Sequence, residues 1–136
     1  MGKNNDPRDL LPLPPNVRAE RYLPQAQVLA RSSFAITHGG AGSTIAALAF
    51  GLPVLVLPRG APSQHRLAAR CVECGVGLAL EPDNVSPATV HDALRALLAN
   101  TALRTGAERV RASIDAQPDV TATVPALETL AHTGAK

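Results

Sequence analysis

At 136 residues and a net charge of +2, the chain is long enough for one domain with a buried core and too short for several. Hydrophobic residues make up 46% but aromatics only 2%, so the core must be packed from Ala, Leu and Val, and a charged fraction of 18% is too low for a disordered chain. There is no run of basic residues interleaved with aromatics, no membrane-length apolar stretch, and no signal-peptide core in MGKNNDPRDL, so neither nucleic acid nor membrane is an expected partner and the cytoplasm is the expected compartment.

Residues 1–15 carry Pro7, Pro12, Pro14 and Pro15 and read as an extended leading segment. Val17 to Tyr22 alternates weakly, as a strand would. Pro24 opens a helical stretch, Gln25 to Arg31. Phe34 to Thr37 is a short apolar strand that stops at His38-Gly39-Gly40-Ala41-Gly42. Ser43 or Thr44 then starts an apolar helix to Phe50, which Gly51 and Pro53 end. Val54 to Leu57 is apolar at every position, the mark of a strand buried on both faces of a parallel sheet.

This strand–helix–strand unit predicts a parallel crossover. After a loop over Arg59 to Ser63, an amphipathic helix is expected from Gln64 to Cys74, then a strand from Val76 to Leu80. Ser86 and Pro87 have the character of an N-cap and first helical residue. Val90, Leu94, Leu97 and Leu98 fit one helical stripe, and Leu103, Ala107, Val110 and Ile114 another. The domain thus spans 16–116, with a tail over 117–136 in which Val124 to Leu130 can form a last helix.

Cys71 and Cys74 form a CxxC without a second pair to complete a zinc site. They share a helical face with Leu67, which predicts buried, reduced core cysteines. His65, His91 and His132 have no evident carboxylate partner and read as solvated surface positions.

The small residues between the first apolar strand and its helix admit two readings. A Gly-rich turn can serve packing alone, and His38 can be a satisfied core histidine. The other reading is a ligand cradle, because glycines let a backbone approach an anion closely. The helix start aims free N–H groups at the same spot, Ser43 and Thr44 add hydroxyls, and His38 adds a donor at the strand's carboxyl end. These groups would suit a diphosphate and stabilise the charge on a departing nucleoside diphosphate. The loop matches neither a P-loop nor the dinucleotide fingerprint.

His38-Gly39-Gly40-Ala41-Gly42-Ser43-Thr44, continued by Ala46-Ala47-Leu48-Ala49-Phe50-Gly51-Leu52-Pro53, closely resembles the donor-binding signature of nucleoside-diphosphate-sugar glycosyltransferases. It is most similar to the bacterial natural-product group that glycosylates macrolides, enediynes and aromatic polyketides. Asn16-Val17-Arg18 and Tyr22-Leu23-Pro24-Gln25 match that family's N-V-R and W-x-P-Q segment, and the likeness covers roughly residues 6 to 100.

The resemblance implies an α/β fold: the Rossmann-like parallel sheet, flanked by helices, of a GT-B C-terminal domain, here lacking its first strands. It implies that Tyr22 lies near the nucleobase, that Leu23 gives backbone contacts there, and that Gln25 lies near the ribose. His38 and the backbone of Gly40, Ala41, Gly42, Ser43 and Thr44 would hold the diphosphate, and Ser63 and Gln64 would face the sugar. Ala46 stands where the plant-type pattern has a ribose-binding Glu, and Ser63 where the family has Asp or Glu. The missing carboxylate at Ala46 favours dTDP over UDP, while the neutral Ser63 fits either a deoxysugar or a decayed donor site, or simply caps the next helix.

The reaction implied is inverting transfer to a small-molecule acceptor without metal or cofactor. Its catalytic base would come from a facing N-terminal domain, and this part alone would be inactive. An exposed sheet edge would favour a homodimer. The alternative is a non-catalytic nucleotide-binding or partner subunit that completes a cleft with a separate chain.

Overall fold

The computed structural model describes residues 6–133. Three short strands, β1 (Ala35–Thr37), β2 (Val54–Val56) and β3 (Gly77–Ala79), form a parallel sheet in that order. Ile36, Leu55 and Leu78 stand side by side across it. Two crossover helices, α2 (Ala41–Ala49) and α3 (Pro62–Glu73), connect the strands. Helices α4 (Pro87–Ala99) and α5 (Thr101–Asp115) complete the cover, with the short α1 (Gln25–Leu29) before the sheet and α6 (Val124–Thr133) after it.

The sheet has a core on each face, which is why β2 is buried at all three positions. On one face Val54 and Val56 pack with Leu29, Ala47, Leu48, Ala68, Cys71 and Ala107. On the other, Leu55 meets Leu97 and Leu103, with Leu78, Val90 and Leu94 around them. Alanines at the helix contacts compensate for the lack of aromatics, since a small side chain lets a helix lie close to the sheet. Ile36 shares the second face but is 49% exposed, because the helical cover lies over β2 and β3 and leaves β1 open.

Local chemistry sets the helix ends. Gly51, at φ +70°, ends α2, and Leu52 N–H then donates to the Ala47 carbonyl (3.1 Å). Ser86 caps α4 in a reciprocal box with Thr89, with Pro87 at the first helical position. Asn100 caps α5 by accepting from the Ala102 amide at 3.0 Å.

Several expectations are corrected. The leading segment is not extended throughout: Pro7–Leu10 is a 3-10 turn capped by Asp6, while residues 1–5 lie outside the described region. The Asp6 carboxylate also pairs with Arg8 and, fifteen residues on, with Arg21 (2.7 Å each). The Arg8 side chain first, then its amide and Arg21, lower the Asp6 pKa to about 2 against some opposing desolvation. Val17 to Tyr22 forms no strand, since alternation alone gives no ladder without a neighbouring strand. Helix α2 begins at Ala41, before Ser43 and Thr44, because Gly40 already has cap geometry (φ −67°, ψ 131°).

Helix α3 begins at Pro62, whose ring presets the first helical φ, so Ser63 lies inside the helix and does not cap it. The CxxC splits: Cys71 is buried and Cys74, at the helix end, is exposed. Burial, and secondarily Cys74, push the Cys71 thiol pKa up. Leu98 falls off the α4 stripe and is 55% exposed. His65 has a carboxylate after all, with its Nδ1 2.8 Å from Glu81 across the α3–β3 connection. His91 lies 3.4 Å from the neighbouring Asp92, a pair well exposed to solvent.

Candidate functional site

The site is built at the carboxyl end of β1, where the chain turns into α2. Thr37, the last strand residue, is buried; its hydroxyl accepts from the Gly39 amide (3.0 Å) and lies 3.4 Å from the Thr44 hydroxyl. This pins the turn from below. Gly39 has φ +84°, and a Cβ there would stand 3.0 Å from the Gln64 carbonyl oxygen and 3.1 Å from Val56 Cγ1. Both its backbone angle and its close contact with α3 therefore demand glycine.

Gly40 is the N-cap of α2, and no side chain caps this helix start. The Thr44 amide donates to the Gly40 carbonyl (3.1 Å), which leaves the amides of Ala41, Gly42 and Ser43 as the unbonded first turn. Their N–H groups and the positive end of the helix dipole face the same region. His38 is exposed, so it is not a core histidine, and its ring lies over Gly40. A Cβ on Gly40 would meet His38 Nε2 at 2.7 Å.

Two hollows open around this turn, and a third lies apart from it. The first, ≈ 710 Å³, has Ile36 and Leu57 as apolar floor, His38, Ser43 and Arg59 as polar rim, and Val85 at its margin. The second, ≈ 410 Å³, lies between α2 and α3 and takes in Gly40, Ala41, Ser63, Gln64, Arg66 and Arg70. The third, ≈ 340 Å³, gathers Tyr22, Leu23 and Gln25 with Arg21. No Asp or Glu lines any of the three, so the electrostatics at the turn favour an anion.

The predicted residues thus fall into groups. His38 and Ser43 share one hollow, Gly40, Ala41, Ser63 and Gln64 the next, and Tyr22, Leu23 and Gln25 a separate one. Gly42 lines none of them but contributes a first-turn amide. The expectation that Thr44 offers its hydroxyl to a ligand is corrected: the residue is fully buried and its hydroxyl faces Thr37. Tyr22 is 82% exposed on this chain.

Sequence reasoning missed Arg59. Its amide donates to Gln64 Oε1 at 2.7 Å, which ties the β2–α3 loop to the first turn of α3. Arg66 was missed too, although its place three residues after Ser63 on a helix put it on the same face. Among the described residues, no three His, Cys, Asp or Glu side chains gather as metal ligands.

A small-residue turn at the carboxyl end of the parallel strand β1, opening into an uncapped helix start, defines a Rossmann-like domain of the kind found as the C-terminal half of GT-B nucleoside-diphosphate-sugar glycosyltransferases. The chain belongs to the family described as erythromycin biosynthesis protein CIII-like, C-terminal domain, which matches residues 3–130. It is 35% identical over 124 residues to 4'-demethylrebeccamycin synthase of Lentzea aerocolonigenes, covering 91% of this chain and 29% of that protein.

Among solved structures, the calicheamicin glycosyltransferase CalG4 superposes with a TM-score of 0.89 at 32% identity, over 99% of this chain and 35% of CalG4. The glycosyltransferase VinC, solved in complex with dTDP, superposes with a TM-score of 0.86 at 31% identity, over 93% of this chain and 32% of VinC. The chain therefore spans about a third of the length of the proteins it matches. No helix among the described residues is long and apolar enough to cross a membrane.

Proposed function

We propose that this domain binds the donor, a dTDP-deoxysugar, of an inverting glycosyltransferase that acts on a small-molecule acceptor, and that it does not transfer sugar alone. The observation that carries the reading is the turn after β1, where three unbonded amides and the His38 ring converge with no carboxylate in the surrounding lining. Such a group binds a diphosphate and stabilises the charge of the departing nucleoside diphosphate. Ser43 adds a hydroxyl at the rim.

Support for dTDP comes from Ala46 in place of a ribose-binding carboxylate and from the dTDP complex of VinC. Tyr22, Leu23 and Gln25 are assigned to the nucleoside, and Ser63 and Gln64 to the sugar. Neither metal nor cofactor is part of the proposed reaction, and the base is assigned to a facing domain. His38, the histidine of the turn itself, has no carboxylate partner among the described residues, and the His65–Glu81 pair lies on α3 and outside the lining of the three hollows.

Calorimetric titration with dTDP and UDP tests this. Saturable dTDP binding, weakened in His38→Ala by ~1.5–3 kcal/mol as for a hydrogen bond to a charged group, is expected. Tighter binding of UDP would overturn the choice of nucleotide, and no binding of either would overturn the donor role.

The open edge of β1, with Ile36 exposed beside it, supports a second reading in which another chain, a second copy included, completes the sheet and cleft. A monodisperse monomer in sedimentation at high concentration would refute self-association.

A further inference from the structure

We propose that the hollow between α2 and α3 selects an uncharged sugar and rejects one that carries a protonated amine, with Arg66 as the discriminating side chain. The proposal rests on the donor-binding reading and concerns the sugar, not the nucleotide. The hollow shares Gly40 and Ala41 with the diphosphate cradle, so a group attached to the bound phosphate reaches it.

Its hydrogen-bonding character is one-sided. The carboxamide oxygen of Gln64 already accepts from the Arg59 amide (2.7 Å), while the Gln64 NH2 has both of its donors available. Arg66 and Arg70 offer guanidinium donors and no acceptor. Arg70 is offset by Glu73 at 2.6 Å, whereas the Arg66 guanidinium makes no ion pair among the described residues. Among the described residues, the Ser63 hydroxyl and the already engaged Gln64 oxygen are the side-chain acceptors in the lining, and no carboxylate is there. A hydroxyl, ether or carbonyl oxygen accepts from such a wall. An ammonium only donates, so it finds no carboxylate and few neutral acceptors, and it stands beside an unpaired positive charge.

The magnitude is modest because Arg66 is exposed. Two like charges about 6 Å apart in nearly bulk water differ from a neutral pair by roughly threefold in affinity, rising towards tenfold as water is excluded.

The test titrates the chain with dTDP, dTDP-glucose and a dTDP-amino-dideoxyhexose at pH 7 and low salt, in wild type, Arg66→Ala and Arg66→Glu. Each variant is read as the ratio of its two sugar-nucleotide affinities, so a general loss of binding cancels. The expected ratio favours dTDP-glucose by about three- to tenfold in wild type. It approaches parity in Arg66→Ala, reverses in Arg66→Glu, and shrinks in high salt. An unchanged ratio across the three proteins, with dTDP still bound, would overturn this proposal and leave the donor reading standing. Failure of wild type to bind dTDP would remove both.

Discussion

A methyl group placed on Gly40 isolates what the His38 ring contributes. The Gly40 backbone, at φ −67° and ψ 131°, suits alanine, so the substitution has no conformational penalty of the kind Gly39 would show. Its only close neighbour is the imidazole, with the new Cβ 2.7 Å from Nε2 and 2.9 Å from Cε1. Comfortable contact needs about 3.5 Å, so the ring must withdraw by about 1 Å, which is enough to lose a well-made hydrogen bond. Loss of a bond to a charged phosphate costs ~1.5–3 kcal/mol, roughly ten- to a hundredfold or more in dTDP affinity.

Stability should change little. Alanine is a poorer N-cap than glycine by under about 2 kcal/mol, and reduced freedom of the unfolded chain returns ~0.4–1 kcal/mol. The decisive assay is a double-mutant cycle by calorimetry with Gly40→Ala, His38→Ala and both. With no imidazole to displace, Gly40→Ala should cost almost nothing in the His38→Ala background. An equal loss in both backgrounds would refute the argument, because the methyl would then be obstructing the ligand directly.

Gly77→Ala should lower the unfolding free energy measured in urea by about 1–3 kcal/mol or prevent folding, because its Cβ would fall on the Val54 carbonyl oxygen across β2 and β3. Thr44→Val should destabilise by ~0.5–1.5 kcal/mol in thermal unfolding yet leave dTDP affinity unchanged, since the lost hydroxyl faces Thr37, whereas Ser43→Ala should weaken binding while sparing stability. Asp6, held at about 2 by Arg8, contributes stability above its unfolded value of 3.8 that disappears as pH falls through the folded value. Thermal midpoints of wild type and Asp6→Asn should therefore differ above about pH 4 and converge near pH 2; a constant offset throughout would contradict this.

Much of the fold was legible in the sequence because its signals are local. The uniformly apolar Val54 to Leu57, the Gly51 stop and the Ser86-Pro87 start each act within a few residues, and each lies where expected. The donor-loop motif was legible for the same reason: glycines, a helix start and His38 are contiguous in the chain. Other features depended on neighbours that the sequence does not reveal. Whether Val17 to Tyr22 forms a strand depends on a partner strand, and none pairs with it.

Tertiary packing alone decided which of two adjacent-looking cysteines is buried, since only Cys71 faces the sheet. It alone turned the Thr44 hydroxyl inward to Thr37 and brought His65 to Glu81 across sixteen residues. It also placed the Arg59 amide on the Gln64 carboxamide oxygen and so tied the β2–α3 loop to that side chain. The sequence determined elements and the phosphate-type loop, because propensity, capping and glycine freedom are short-range. The structure decided exposure, pairing and the hydrogen-bonding character of the hollow between α2 and α3, because these arise where separate elements meet.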